Sequence, residues 1–476
     1  MIPILIVISI IYLGLLVTFS LVTRQKEKDT ATYLLAGSKI GSVLGIFTFA
    51  ATLFSTFTLI GMPDFFRTHG VGSWMFLAFS DAAMVFAIIS VGYYLRKKAK
   101  REDFKGLSGL IVQCYKNKFA GYIVFAGAFI FLVPYVAIQI RGIAIFLNAT
   151  FPGAMPIWGW ATAMVVLMLT YSEIGGLKAI IYSDMLQGLL LLIVIWIIGY
   201  NCLTYFGNMN NLFVKIEEVN KGLLSVPGPK GLFTPQFLIA SFIAIMMIPF
   251  TQPHVVTRII IMKNYKSLFR MAIGVGVFAM IIIFPTLLIG MYGAVNHPEA
   301  STADFISNVL ITEQTDFIAA FTVIGLIAAA ISTSDSQIFA MGGELRSLLE
   351  GEDSKMLQIT RIAIVFFAVT ILIFSLLTSD QLVLLARTSF AGTALMAPMI
   401  FVGIFATKKL NMALPVFTLV CMLAFIGSLM GLIPNSYIGI RLDLILMFSL
   451  TAFALVNYHF FSEKLAAPEQ VISEAK

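Results

Sequence analysis

Thirteen stretches of about 20 mostly apolar residues, joined by short polar connections, dictate what this chain can become. They lie near residues 3–22, 43–62, 74–95, 119–147, 158–173, 184–205, 236–256, 270–293, 316–343, 359–378, 381–406, 412–432 and 440–460. In lipid a backbone must satisfy its own hydrogen bonds, so spans of this length read as helices and the chain as an all-α membrane protein with about 13 transmembrane helices. Composition agrees: 59% of the 476 residues are hydrophobic and 12% charged, against roughly 25% charged in a soluble domain. The first span has neither a basic start nor a small-residue cleavage site, which marks it as a membrane helix rather than a signal peptide.

The net charge of +7 is topological rather than a sign of nucleic-acid binding. Arg24, Lys26 and Lys28, then Arg96, Lys97, Lys98, Lys100 and Arg101, then Arg258, Lys263, Lys266 and Arg270, then Lys408 and Lys409 fall in alternate loops. Those loops are expected in the cytoplasm of a multi-pass cell-membrane protein, with the N-terminus outside and the C-terminus inside. The other side carries chiefly Arg67, Lys215, Lys221, Lys230 and Arg441. Its longest connection, 206–235, reads as a surface cap, and the tail from Ser462 is polar. Cys114, Cys202 and Cys421 show neither disulfide nor metal-ligand spacing, and the four histidines are scattered, so the sequence supports neither a metal cluster nor an enzyme. A nucleotide-binding loop is also missing, which argues against a primary pump.

Inside the ninth span, Ala328-Ala329-Ala330-Ile331-Ser332-Thr333-Ser334-Asp335-Ser336-Gln337 sets four hydroxyls and a carboxylate in an apolar run. Ala329, Ser332, Thr333 and Ser336 share one helix face. Two readings stand: oxygens gathered for a hard cation such as Na⁺, or a small-residue packing face whose hydroxyls bond back to the helix. The second span has a small polar middle, Thr48 to Thr56, and ends in Gly61-Met62-Pro63. The seventh ends in Pro249-Phe250-Thr251-Gln252-Pro253-His254. These two lie five spans apart, as matching members of inverted five-helix repeats would, and interrupted helices at matching positions leave carbonyls free for an ion. Ordinary use of Pro and Gly in membrane helices is the alternative.

Five motifs in order resemble the sodium:solute symporter family. They are Tyr33-Leu34-Leu35-Ala36-Gly37, Gly61-Met62-Pro63, Gly175-Gly176-Leu177-Lys178-Ala179 leading to Tyr182-Ser183-Asp184-Met185-Leu186-Gln187, Gln252-Pro253-His254 with Arg258, and the Ser332 to Gln337 run. The resemblance implies the inverted-repeat fold of the bacterial leucine transporter as a single transporter domain. Its core would be residues 43–406, with one extra helix and a cytoplasmic loop before it (1–42) and two helices and a tail after it (407–476). It implies a Na⁺ site built from the carbonyls of Ala51, Phe54 and Ala329 and the hydroxyls of Ser332 and Thr333. A second Na⁺ site would join Asp184 to Ser332, Asp335 and Ser336. Asp335 stands where some relatives have serine, and Asp184 also reads as a carboxylate at a helix N-terminus.

The resemblance places the solute beside the break in the second span, between spans three, four, seven and eleven. Ser55 and Thr58 match hydroxyls that contact solute in a sialic acid carrier; Gln139 and Gln252 flank the same region. Asp81 and Arg141 draw notice because ionised side chains are expensive inside a membrane. Arg141 suits a carboxylate, or forms an ion pair with Asp81, or snorkels; Arg387, nearer a span end, is read as snorkelling. The expectation is therefore a monomeric Na⁺-coupled symporter in the lipid bilayer, importing a carboxylate-bearing small solute (an organic anion, a sialic acid-like compound or an amino acid) by alternating access. Proton coupling through Asp184 and Asp335, or a neutral sugar as cargo, are the alternatives within transport. A sensor or channel of the same fold is the other class, and a sensor would normally add a soluble output domain.

Overall fold

The computed structural model describes residues 1–23, 34–377, 382–461 and 463–464, excepting the side chains of 171–175, 353–354 and 463–464. Arg24, Lys26, Lys28, Tyr33 and the tail beyond 464 lie outside the described residues. In chain order the helices are α1 (Ile2–Thr23), α2 (Ser42–Leu53), α3 (Met62–His69), α4 (Ser80–Arg101), α5 (Leu107–Tyr115), α6 (Lys118–Thr150), α7 (Ile157–Phe206), α8 (Met209–Asn220), α9 (Pro235–Thr251), α10 (Pro253–Ile260), α11 (Tyr265–Asn296), α12 (Thr302–Ser307), α13 (Asp316–Leu348), α14 (Asp353–Leu377), α15 (Leu382–Ala394), α16 (Ala397–Phe405), α17 (Ala413–Leu429) and α18 (Leu442–Phe460). Two-residue strands pair Lys408–Lys409 with Glu463–Lys464 and Ser436–Tyr437 with Ile440–Arg441.

Among the described residues nine helices are long and apolar enough to cross a membrane, or eleven when each of two bent pairs counts as one span. Ile157–Thr170 and Ala413–Leu429 are apolar but shorter. The count of thirteen is not reached: nine to eleven of the expected spans have full length, and these two helices, where the fifth and twelfth were expected, fall short of a span. Gly176, at φ 60° and ψ −162°, divides α7 between two of the expected spans. Only glycine adopts that conformation without steric cost, which gives the Gly175-Gly176 pair its structural role.

The two interruptions are real, but the first lies earlier than Gly61-Met62-Pro63. Span two bends by 60° between Ser42–Leu53 and Phe57–His69, with Phe54 extended at φ −94° and ψ 119°. Pro63 lies within the Phe57–His69 arm, just after its π-helical stretch Phe57–Gly61, and so past the bend rather than at it. Span seven bends by 58° between α9 and α10, where Gln252 is extended and Pro253 opens the next helix. Around these breaks the long helices α6, α7, α11 and α13 build one continuous buried core. α1 adds to it from outside, burying Tyr12 and Leu16 against Ile324 and Ala328 of α13.

One end of the bundle carries the 206–235 connection, which is the surface cap expected. Its α8 leads into a turn where the Val71 N–H donates to Leu223 O at 2.8 Å. Gly70 makes that approach available, since a Cβ there would lie 2.2 Å from Leu223 O. At the opposite end Ile40 N donates to Ile261 O (3.1 Å) and Lys263 N to Ile40 O (2.8 Å), tying the start of α2 to the end of α10.

Candidate ion and solute site

Breaking span two frees the last carbonyls of α2, and α13 presents its hydroxyls to them. Ser332 Oγ donates to Ala51 O at 3.0 Å and to Ala329 O at 3.2 Å, while Thr333 Oγ1 donates to Ala51 O at 2.9 Å. All four residues are buried. The expected Na⁺ ligands Ala51, Ala329, Ser332 and Thr333 therefore meet at one point, and Phe54, the fifth expected ligand, is the extended residue at the break three positions after Ala51. The donor set is neutral oxygen throughout, which fits a hard monovalent cation held loosely enough to be released. Two hydroxyls from α13 that cross to another helix also count against a purely internal packing face.

In the second set Asp184 and Ser336 meet through Arg258, and Asp335 does not join them. Asp184 lies well inside the Gly176–Phe206 segment, so the helix-terminus reading fails as well. Its Oδ2 accepts from Thr48 Oγ1 at 2.5 Å and from Arg258 Nη2 at 3.4 Å. The same Nη2 donates to Ser336 Oγ at 2.6 Å, so a guanidinium stands between the two groups expected to share an ion. Asp335 lies on the α13 stripe of Ile324 and Ala328, spaced i, i+4 and i+11, and so faces α1. Both its oxygens are buried without a hydrogen-bond partner among the described residues. Nearby, Gln187 Nε2 donates to the Tyr12 hydroxyl at 2.9 Å.

Arg258 corrects the loop assignment made from charge alone. It is 1% exposed inside α10. Arg96 is buried too, and its guanidinium bonds Met262 O. Arg67 pairs with Asp64 at 2.6 Å and donates to His297 O at 2.7 Å. Arg387 does not snorkel: it bonds Asp443 of α18 and Ser241 Oγ of α9.

At the solute region, Ser55, Thr58, Gln139 and Gln252 are all fully buried. Thr58 Oγ1 accepts from Ser55 N at 3.1 Å, and Gln139 joins Tyr135 O to Phe57 N at 3.3 and 3.4 Å. These two stabilise the exposed backbone of the break. Tyr135, which the sequence did not single out, does the same by donating to Leu53 O at 3.2 Å. The groups left without partners are Ser55 Oγ, Thr56 Oγ1 and both amide atoms of Gln252. Buried polar groups are rarely left unpaired, and these are the ones a solute can satisfy. Arg141, half-buried, lies two residues from Gln139 and hence about 200° round α6 from it. Asp81 is half-buried near the start of α4. No ion pair joins the described Asp81 to Arg141.

A cavity of about 420 Å³ opens at the capped end, with Gly61, Asp64, Arg67, Lys230, Thr302 and Leu382 among its walls. A second, of about 260 Å³, shares Thr302 and Leu382 and reaches Ile60 and Gly142 beside the break. Toward the other end a cavity of about 350 Å³ lies between α5 and the end of α13, with Gly109, Val112, Lys118, Arg346 and Glu350 among its walls, and the space between Leu34, Arg258 and Glu344 is about 20 Å³. There Glu344 of α13 accepts from Leu107 N at 2.7 Å and Ser108 N at 2.6 Å, holding the N-terminus of α5.

The same architecture is found in a Na⁺-coupled sialic acid symporter in a substrate-bound outward-open state. It superposes with a TM-score of 0.80 at 15% identity, covering 98% of this chain and 99% of that one. A nucleobase-cation-symport-1 family transporter gives a TM-score of 0.55 at 12% identity, covering 90% of this chain and 92% of the other. These are transporter folds with broken helices of the leucine-transporter kind. In sequence the chain is 25% identical over 329 residues to the sodium/pantothenate symporter of Haemophilus influenzae, covering 67% of this chain and 66% of the relative. With the sodium/pantothenate symporter of Escherichia coli it is 22% identical, covering 58% and 57%; the match thus spans under two thirds of either relative. The model of the sodium:solute symporter family matches residues 33–414. Motifs, fold and family match agree, and the chain belongs to the sodium:solute symporter family.

Proposed function

We propose that this protein is a Na⁺-coupled symporter that imports a small organic solute by alternating access. The observation that carries the reading is the convergence of Ser332 and Thr333 of α13 on the Ala51 carbonyl of the broken span two. An ion there takes oxygens from both elements, so it holds α13 and α2 together and favours whichever state keeps them in register. Coupling follows when that state also binds solute better. A membrane potential drives the ion inward with about 2.3 kcal/mol per charge per 100 mV.

The solute binds beside the break, where Ser55, Thr56 and Gln252 offer hydroxyls and an amide. The carboxylate-bearing reading requires Arg141, on the far side of α6 from Gln139, to turn toward these groups when solute binds. The uncharged character of the unpartnered groups favours a second reading, a neutral polyhydroxylated or amide-bearing solute with no role for Arg141. Uptake of labelled solutes into proteoliposomes, with Na⁺ or K⁺ outside, tests both readings. Na⁺-dependent uptake is expected, and Ser332→Ala or Thr333→Ala should raise the half-saturating Na⁺ concentration at least about tenfold, a loss of about 1.4 kcal/mol. Equal uptake in K⁺ overturns the sodium reading. If Arg141→Lys leaves uptake of the preferred solute unchanged, the carboxylate reading gives way to the neutral one.

A further inference from the structure

Four helices meet at the guanidinium of Arg258. Its Nη2 contacts Ser336 Oγ of α13 (2.6 Å) and Asp184 Oδ2 of α7 (3.4 Å), its Nε contacts Thr48 Oγ1 of α2 (3.3 Å), and its Nη1 contacts His254 O of α10 (3.4 Å). Thr48 closes the ring by donating to Asp184. Arg258 is 1% exposed, and Asp184, Thr48 and Ser336 are no more exposed than that. Without the guanidinium, the remaining oxygens would be one carboxylate, two hydroxyls and a carbonyl, on helices already packed side by side. That is a donor set for a small hard cation, with the single negative charge needed to neutralise one. An arginine differs from a dissolved ion in two ways. It keeps its proton at any physiological pH, and its stem prevents it from leaving.

We infer that Arg258 is the resident cation of the Asp184 and Ser336 locus, and that its presence limits ion coupling to the one site formed by Ala51, Ser332 and Thr333. The inference rests on the sodium reading above and refines it by fixing how many ions the protein binds. Because the charge of Asp184 is met from within the chain, this locus needs no ion from solution at any point of the cycle. The guanidinium also remains with α10 whichever way that half-helix swings. Asp184 Oδ1, which has no hydrogen-bond partner among the described residues, is free to follow it.

Binding of radiolabelled Na⁺ to the purified full chain in lipid nanodiscs tests this without knowledge of the solute. The wild type is expected to bind one Na⁺ per chain, and Ser332→Ala with Thr333→Ala should abolish that binding. Arg258→Gln, which removes the charge, should bind a second Na⁺, and adding Asp184→Asn to it should return the count to one. Should Arg258→Gln fail to assemble, Asp184→Asn alone decides: one Na⁺, with affinity changed less than about threefold, about 0.7 kcal/mol, is the expected result. Two Na⁺ on the wild type, one on Arg258→Gln, or a lost or much weakened ion on Asp184→Asn each overturn the inference while leaving the sodium reading standing. No bound Na⁺ on a folded wild type overturns both.

Discussion

Arg387 illustrates what a single buried charge demands in this protein. Its guanidinium bonds Asp443 and Ser241 and lies 5.0 Å above the ring of Phe237, so it joins α15 to α18 and α9. Buried pairs add little net stability, but removing one partner strands the other charge. Asp443→Ala should therefore destabilise the protein by about 3–5 kcal/mol, seen as a lower thermal midpoint in detergent. Pairing it with Arg387→Met should recover most of that loss; no recovery would mean the cost lies in packing rather than in the stranded charge. The sequence could not disclose this pair. Arg387 and Asp443 stand far apart along the chain, and no spacing rule relates them. Ser332, Thr333 and Ala51 were legible because hydroxyls inside an apolar run call for a partner, and the broken second span was the place with carbonyls to offer. Arg258 was misread for a related reason: near a span end, an arginine that anchors a loop and one that fills a core look alike until the helix that buries it is known.

Among elements, the link between α13 and α5 matters most for motion. Glu344 lies eleven residues beyond Thr333 on the same helix, about 16 Å along it. It accepts the Leu107 and Ser108 N–H groups, which have no partner within α5 itself. Through it, movement of α13 bears directly on α5. Glu344→Ala should raise amide hydrogen exchange at Leu107 and Ser108 at least about tenfold, equivalent to about 1.4 kcal/mol of lost protection. Unchanged exchange would show that Gly109 N and Ser347 Oγ, 2.9 Å apart, hold α5 without it. The bends could be anticipated in kind but only roughly in place. Proline is tolerated inside membrane helices, so Pro63 drew attention into the Phe57–His69 arm and away from the extended Phe54.

For the whole molecule, the orientation proposed from charge is open to direct measurement. With the basic loops cytoplasmic, a cysteine at Lys230 should react with an impermeant maleimide from outside intact cells. One at Lys266 should react only after permeabilisation. The native cysteines are free and none is exposed, so background labelling is low. The reverse pattern would invert the proposed topology, while the direction of coupled transport would still follow the Na⁺ gradient. The bonds that join Ile40 to Ile261 and Lys263 carry a further consequence for kinetics. Because they tie the ends of α2 and α10 together, the two half-helices would move as a pair in the proposed transport cycle, and release would be one event with one barrier. Ion and solute would then depart at rates that rise and fall together under any mutation of this joint, and a transporter built this way leaks little of either one alone.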